Sequence, residues 1–175
     1  LVYSIPGKLW WIHNFLPYDM YKGIHNAIIK ERKKINLHSV ENRWSKNLYQ
    51  NLELAERVEV EKYSPFEKLK TLVKHNQYTN LTDITNISTN IHYMKKYAGI
   101  NWHDDNSWKC AATLYLNHKW HNQWGGEFMY KDNNDYGWLP LVGNSLIINK
   151  TPLLHKVNPV LSPIMPRISV QIFMK

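Results

Sequence analysis

The chain has 175 residues, 43% of them hydrophobic and 13% aromatic with eight Trp, which excludes a disordered or fibrous polymer and suffices for a packed core. Its formal charge is +8, from 22 basic against 14 acidic residues, and its one cysteine, Cys110, excludes an internal disulfide framework. Nothing calls for an oxidising compartment, so a reducing cytoplasm is the expected location, and no run approaches the ~18 apolar residues of a membrane span.

In chain order, Leu1 to Trp11 is apolar but broken by Pro6, Gly7 and Lys8, and reads as a first strand rather than a signal peptide. From Asp19 to about Lys34 the apolar residues Met20, Ile24, Ala27, Ile28 and Ile35 recur every three or four positions, the stripe of a helix lying on a sheet. The run Lys30-Glu31-Arg32-Lys33-Lys34 is a solvated helix face or, alternatively, a field for an acidic or nucleic-acid partner. Weak periodicity leaves 36–61 unassigned. Pro65 in a first turn, then Phe66, Leu69, Leu72 and Val73, predicts a second helix ending near His75. Asn76 to Thr89 has the composition of a loop, and in the whole stretch 36–89 a lid over a site is the functional alternative to plain connection.

After that loop the pattern changes. Short apolar or alternating runs cover Asn90 to Met94, Lys109 to Asn117, Glu127 to Lys131, Tyr136 to Leu139, Leu146 to Asn149 and Arg167 to Met174. Turn residues such as Gly125-Gly126, Asp132-Asn133-Asn134-Asp135 and Gly143-Asn144 separate them. Helices followed by many short strands imply a mainly β protein with N-terminal helices packed outside an antiparallel double-stranded β-helix, the cupin-like jelly roll. A single domain over 1–175 is expected, with 1–89 supplying a strand, helices and lid, and 90–175 the jelly-roll core.

Chemistry concentrates in Ile100-Asn101-Trp102-His103-Asp104-Asp105. Residues two apart on an extended segment share a side, so His103 and Asp105 can aim an imidazole and a carboxylate at one point. His155, 52 residues further on and at a strand start, could add a third ligand. Two histidines and one carboxylate with open positions suit non-haem Fe(II) and oxygen chemistry. An HxD pair alone is weak evidence, and an ordinary surface turn is its plainer reading; Asp104 also competes with Asp105 as the carboxylate. His118 and His121 have a zinc-compatible spacing but lack further ligands nearby. Trp102, Trp108, Trp120, Trp124 and Trp138 cluster in sequence around the same region, as core or as an aromatic wall against a proline ring or a nucleobase.

Arg167-Ile168-Ser169-Val170-Gln171-Ile172-Phe173 alternates strictly. If its aliphatic face meets the helices, Arg167 turns into the space between the sheets, where a guanidinium needs an anion. A carboxylate fits its fork in bidentate geometry, with Ser169 adding a hydroxyl; a protein salt bridge or an exposed strand edge are the alternatives.

From Ile91 onward these residues together resemble the Fe(II)- and 2-oxoglutarate-dependent dioxygenases, most closely the prolyl hydroxylase branch that includes the hypoxia-inducible-factor prolyl hydroxylases. The resemblance rests on Tyr93 ten residues before His103, on His103-x-Asp105, and on Leu114-Tyr115-Leu116-Asn117 leading to Trp120. Gly125-Gly126, His155 and Arg167-x-Ser169 complete it. The separation from His155 to Arg167, 12 residues, is longer than usual in this branch, with Pro163 and Pro166 in the extra length. The resemblance implies His103, Asp105 and His155 as iron ligands. It implies Arg167 and the Tyr115 hydroxyl as partners of the distal carboxylate of 2-oxoglutarate, and Tyr93 as a residue lining the site. It further implies Fe(II), 2-oxoglutarate and O2, with ascorbate as reductant, hydroxylating an unactivated C–H bond with release of succinate and CO2. A prolyl residue of a peptide or protein is the first substrate expected. A free amino acid or other small molecule, then a nucleic-acid base, come next, and a non-catalytic carboxylate-binding jelly roll is the alternative of another class. No membrane partner is expected.

Overall fold

The computed structural model describes residues 3–31, 38–39, 49–51, 55–59, 64–79, 81 and 83–175. The strands are β1 (Tyr3–Ile5), β2 (Leu9–Ile12), β3 (His38–Ser39), β4 (Tyr49–Gln50), β5 (Ala55–Glu59), β6 (Ile87–Met94), β7 (Gly99–His103), β8 (Cys110–Tyr115), β9 (Phe128–Asp132), β10 (Asp135–Leu139), β11 (Leu146–Lys150), β12 (Leu154–Val157) and β13 (Arg167–Met174). Two helices accompany them, α1 (Tyr18–Glu31) and α2 (Ser64–Lys74). One sheet of eight strands runs in the order β1-β2-β11-β8-β13-β6-β5-β3, and one of five in the order β10-β9-β12-β7-β4, with antiparallel pairing throughout. The two form the sandwich of a double-stranded β-helix, the jelly roll that the helix-then-strand pattern predicts.

Period-two alternation decides which face of each strand does what. On β13, Val170 and Ile172 are fully buried in a core shared with Tyr21, Ile24 and Ile28 of α1 and Phe66, Leu69 and Val73 of α2. The helices therefore cover the outer face of the eight-stranded sheet. Arg167, Ser169, Gln171 and Phe173 take the opposite face, between the sheets, as the alternation predicts. A second core of Leu9, Tyr115, Phe128, Tyr130, Leu139, Leu141, Ile147 and Leu153 fills one part of the inter-sheet space. A third, with Met94, Ala98, Ile100, Val157 and Val160, fills another.

The N-terminal region differs from expectation in what it adds. The stretch 36–61, unassigned by its periodicity, contributes β5, which pairs with β6, and the two-residue β4, which extends the smaller sheet beside β7. The last residues of the expected loop 76–89 already belong to β6; before them Asn76 Oδ1 accepts from the backbone N–H groups of Tyr78 and Thr79, an Asx turn. The end of the first helix beyond Glu31 and, within the expected lid, residues 36–37, 40–48, 52–54, 60–63, 80 and 82 lie outside the described residues. No described helix is long and apolar enough to cross a membrane.

Candidate metal centre and active site

The site is built where β7 and β12 run side by side. His103 and His155 are direct cross-strand partners, with ring centroids 4.1 Å apart. A register irregularity between His155 and Val157 follows immediately, so the two histidines sit at the last regular rung. β7 ends at His103, and Asp105 lies beyond it at φ +53°, a left-handed conformation that Asp tolerates better than most residues. Convergence therefore comes from a turn rather than from strand alternation. Thr151 clamps that turn, its hydroxyl donating to the carbonyls of Trp108 at 2.7 Å and, more weakly, of Asp104 and Asp105. Asp104, the competing carboxylate, accepts instead from the Asn106 N–H.

His103 Nε2 stands 3.5 Å from Asp105 Oδ1, and His155 Nε2 stands 3.2 Å from Asp105 Oδ2. The three ligand atoms lie within 4.8 Å of one another, the one such group among the described residues. His118 and His121 form no such group; the His121 ring accepts from the Gln123 N–H. The Nδ1 of His103 meets the Asn101 carbonyl at 2.8 Å, and that of His155 meets the Leu153 carbonyl at 2.9 Å. A carbonyl only accepts, so each Nδ1 carries a proton, and Nε2 is the ring nitrogen each histidine turns to Asp105 and would offer a metal. Two imidazole nitrogens and a carboxylate facing one point form a donor set that a divalent first-row metal fits. Electrostatics agree: burial, then the neighbouring His155, lowers the His103 pKa and keeps the ring neutral. Burial works against the Asp105 carboxylate, but the contact with His155 holds its pKa below the ordinary range. Phe128 stacks on the His155 ring at 5.1 Å and fixes its plane.

At the other end of the same interior lies Arg167, fully buried, with no carboxylate among the described residues in ion-pair reach. Its Nε donates to the Gly126 carbonyl at 3.1 Å, one terminal nitrogen to Ser169 Oγ at 3.1 Å, and the other to the Tyr115 hydroxyl at 3.3 Å. The guanidinium also lies 4.9 Å from the Tyr115 ring centroid. Burial raises the Tyr115 pKa against the opposing pull of Arg167, so the phenol keeps its proton to donate. Arg167, Tyr115 and Ser169 thus come together as the sequence suggests. The long return from His155 is stitched in place: Asn117 donates to the Pro166 carbonyl and accepts from the Ile168 N–H, and Tyr97 and Val160 pair across the 158–166 segment. Gly125 and Gly126 permit this closure. Both have positive φ, and a Cβ on Gly125 would stand 2.2 Å from the Pro159 carbonyl oxygen.

Tyr93 does not join the site. It faces Ile168 across the β6–β13 ladder, and both belong to the helix-covered side of the sheet. The β6 side chain that lines the cavity with the triad is its neighbour His92, along with Thr113, Asn149 and Gln171 from the large sheet. The resemblance points to Tyr93; strand phase points to His92. Asn149 is hidden in the sequence by the apolar run Leu146–Ile148 that precedes it. No tryptophan lines that cavity among the described residues: Trp102 and Trp138 are exposed, Trp120 and Trp124 pack on each other, and Trp108 packs on Phe173.

No curated protein sequence matches the chain. Among solved structures, a prolyl-4-hydroxylase of Pseudomonas putida superposes with a TM-score of 0.73 at 13% identity over 96% of this chain and 92% of that one. A prolyl hydroxylase of Trichoplax adhaerens, solved with a hypoxia-inducible-factor degradation-domain peptide, gives 0.79 at 15% over 97% and 84%. The epimerase SnoN of nogalamycin biosynthesis, described as non-haem and α-ketoglutarate-dependent, gives 0.70 at 9% over 96% and 77%. These likenesses establish the jelly roll. Fe(II) and 2-oxoglutarate are the metal and co-substrate implied by the His–Asp–His triad together with a sequence-profile match over residues 89–175, and through those residues the chain belongs to the 2OG-Fe(II) oxygenase superfamily.

Proposed function

We propose that this oxygenase hydroxylates a prolyl residue in a peptide or protein, using His103, Asp105 and His155 to hold Fe(II) and Arg167, Tyr115 and Ser169 to hold the distal carboxylate of 2-oxoglutarate. The observation that carries the co-substrate assignment is the buried Arg167, whose charge no described carboxylate meets while it shares the inter-sheet space with the triad. A dicarboxylate spanning from Arg167 towards the triad would supply that counter-charge. Tyr115 adds a donated proton and Ser169 a hydroxyl to the same end. The backbone carbonyls of Asn101 and Leu153 orient the two histidine rings, and the apolar walls of Phe128, Ile100 and Val157 exclude stray water. Bound Fe(II) with 2-oxoglutarate and O2 supplies the oxidising power that turns C–H into C–OH as the 2-oxo acid becomes succinate and CO2. The prolyl assignment is supported by neighbours titled prolyl hydroxylases, one of them in complex with a peptide.

The test is succinate formation with Fe(II), 2-oxoglutarate and O2, with and without ascorbate, in the presence of proline-containing peptides whose mass is followed. Activity lost in both His103→Ala and Arg167→Ala, with one oxygen added to peptide by the parent, is the expected result. Succinate without any modified peptide would remove the prolyl substrate. Binding of 2-oxoglutarate without turnover would favour a carboxylate-binding module.

A further inference from the structure

Asn149 on β11 is 1% exposed and follows three apolar residues, yet its amide nitrogen has no hydrogen-bond partner among the described residues. A buried orphan donor is destabilising, and it occupies a position where any aliphatic side chain would continue the run. The side chain lines the same cavity as His103, Asp105 and His155. The other amide and hydroxyl lining that cavity are engaged with each other: the Thr113 hydroxyl donates to Gln171 Oε1 at 2.9 Å, and the Gln171 amide donates to Ser169 Oγ at 3.3 Å.

Each oxygen of Asp105 faces one histidine Nε2, and both Nε2 atoms are the lone pairs a metal would take. A carboxylate that gives one oxygen to a metal leaves the other in surroundings where Asp105 is only 6% exposed, and that oxygen needs a donor. We propose that Asn149 is this donor: a positioning residue that holds the second Asp105 oxygen, keeps the carboxylate monodentate, and thereby sets the metal affinity and coordination number of the site. The proposal rests on the metal-binding reading of the triad. It requires Asn149 to present nitrogen rather than oxygen to the carboxylate, since two acceptors would repel.

The experiment compares the parent with Asn149→Leu and Asn149→Asp after chelator treatment, titrating Mn(II) for affinity and Co(II) for its visible absorption. The expected result is a loss of affinity of about 10- to 100-fold in Asn149→Leu, the range typical of groups that orient metal ligands, and a larger loss in Asn149→Asp. In Asn149→Leu the metal-free melting temperature should hold or rise, because an unpaired buried donor is gone. A merely structural asparagine would lower melting temperature and leave affinity alone, the opposite signature. The Co(II) band should also weaken as the freed carboxylate turns bidentate and raises the coordination number. Parent-like metal affinity in either folded variant would overturn the role of Asn149 while leaving the triad intact. A parent that binds neither Mn(II) nor Co(II) would overturn the metal reading itself and, with it, this role.

Discussion

Arg167 is the side chain on which the co-substrate assignment turns. Arg167→Met keeps length and apolar packing but deletes the charge, so 2-oxoglutarate binding should weaken by roughly 2–5 kcal/mol, the cost of losing one partner of a buried charge pair. Tyr115→Phe removes one neutral donor and should cost about 0.5–1.5 kcal/mol in the same calorimetric titration. Equal affinity in Arg167→Met would send the carboxylate elsewhere. Cys110 gives an independent residue-scale test. Burial pushes its thiol up to about 11 from 9.0, so at pH 8 only about one molecule in a thousand carries the thiolate. A thiol reagent should therefore react at pH 8 only as fast as the protein unfolds. The linkage has a definite sign: the unfolded thiol ionises first, so stability from this group is complete below pH 9 and is lost as pH rises towards 11.

Among the elements, the Gly125-Gly126 turn is the most exacting. Gly125→Ala places a methyl against the Pro159 carbonyl at positive φ, so the segment carrying the Val160 bridge must shift, and with it the carbonyl of Gly126 that receives Arg167. Lowered melting temperature and weakened 2-oxoglutarate binding should appear together; a neutral Gly125→Ala would show that the turn does not position the arginine. Leu69→Ala on α2, by contrast, should cost about 2–5 kcal/mol in denaturant unfolding without touching metal affinity, because its core lies on the far side of the large sheet. Legibility followed the same physics. α1, α2 and most of the strands after the loop are legible as periodic or short apolar runs, and β13 shows both its faces, whereas β7 and β12 are too short to alternate clearly and are placed only as an extended segment and a strand start around His103 and His155. β3 and β4 could not be read, since two-residue strands have no alternation and exist only through their partners. Tyr93 is assigned to the site only by the resemblance, which does not fix strand phase; its pairing with Ile168, whose face is legible from the alternation of β13, assigns it to the helices. His103, Asp105 and His155 were legible as residue types in order, whereas the left-handed turn at Asp105 that unites them was not.

For the molecule as a whole, the charge of +8 predicts how substrates approach. On the proposed prolyl activity, peptides with acidic flanks should show a lower KM than neutral ones at low ionic strength, and the advantage should shrink as salt shortens the Debye length below about 8 Å. An unchanged preference across that range would place selection in close contacts instead. The order of strands carries a different consequence. β13, latest in sequence of the described strands, lies in the interior of the eight-stranded sheet between β6 and β8. On a ribosome, both neighbours emerge with an empty edge and must wait for it, exposing unpaired backbone along the way. The sandwich can then close only in one late, long-range step. Translation stalled before Arg167 should yield a chaperone-bound, protease-sensitive nascent chain rather than a smaller folded domain.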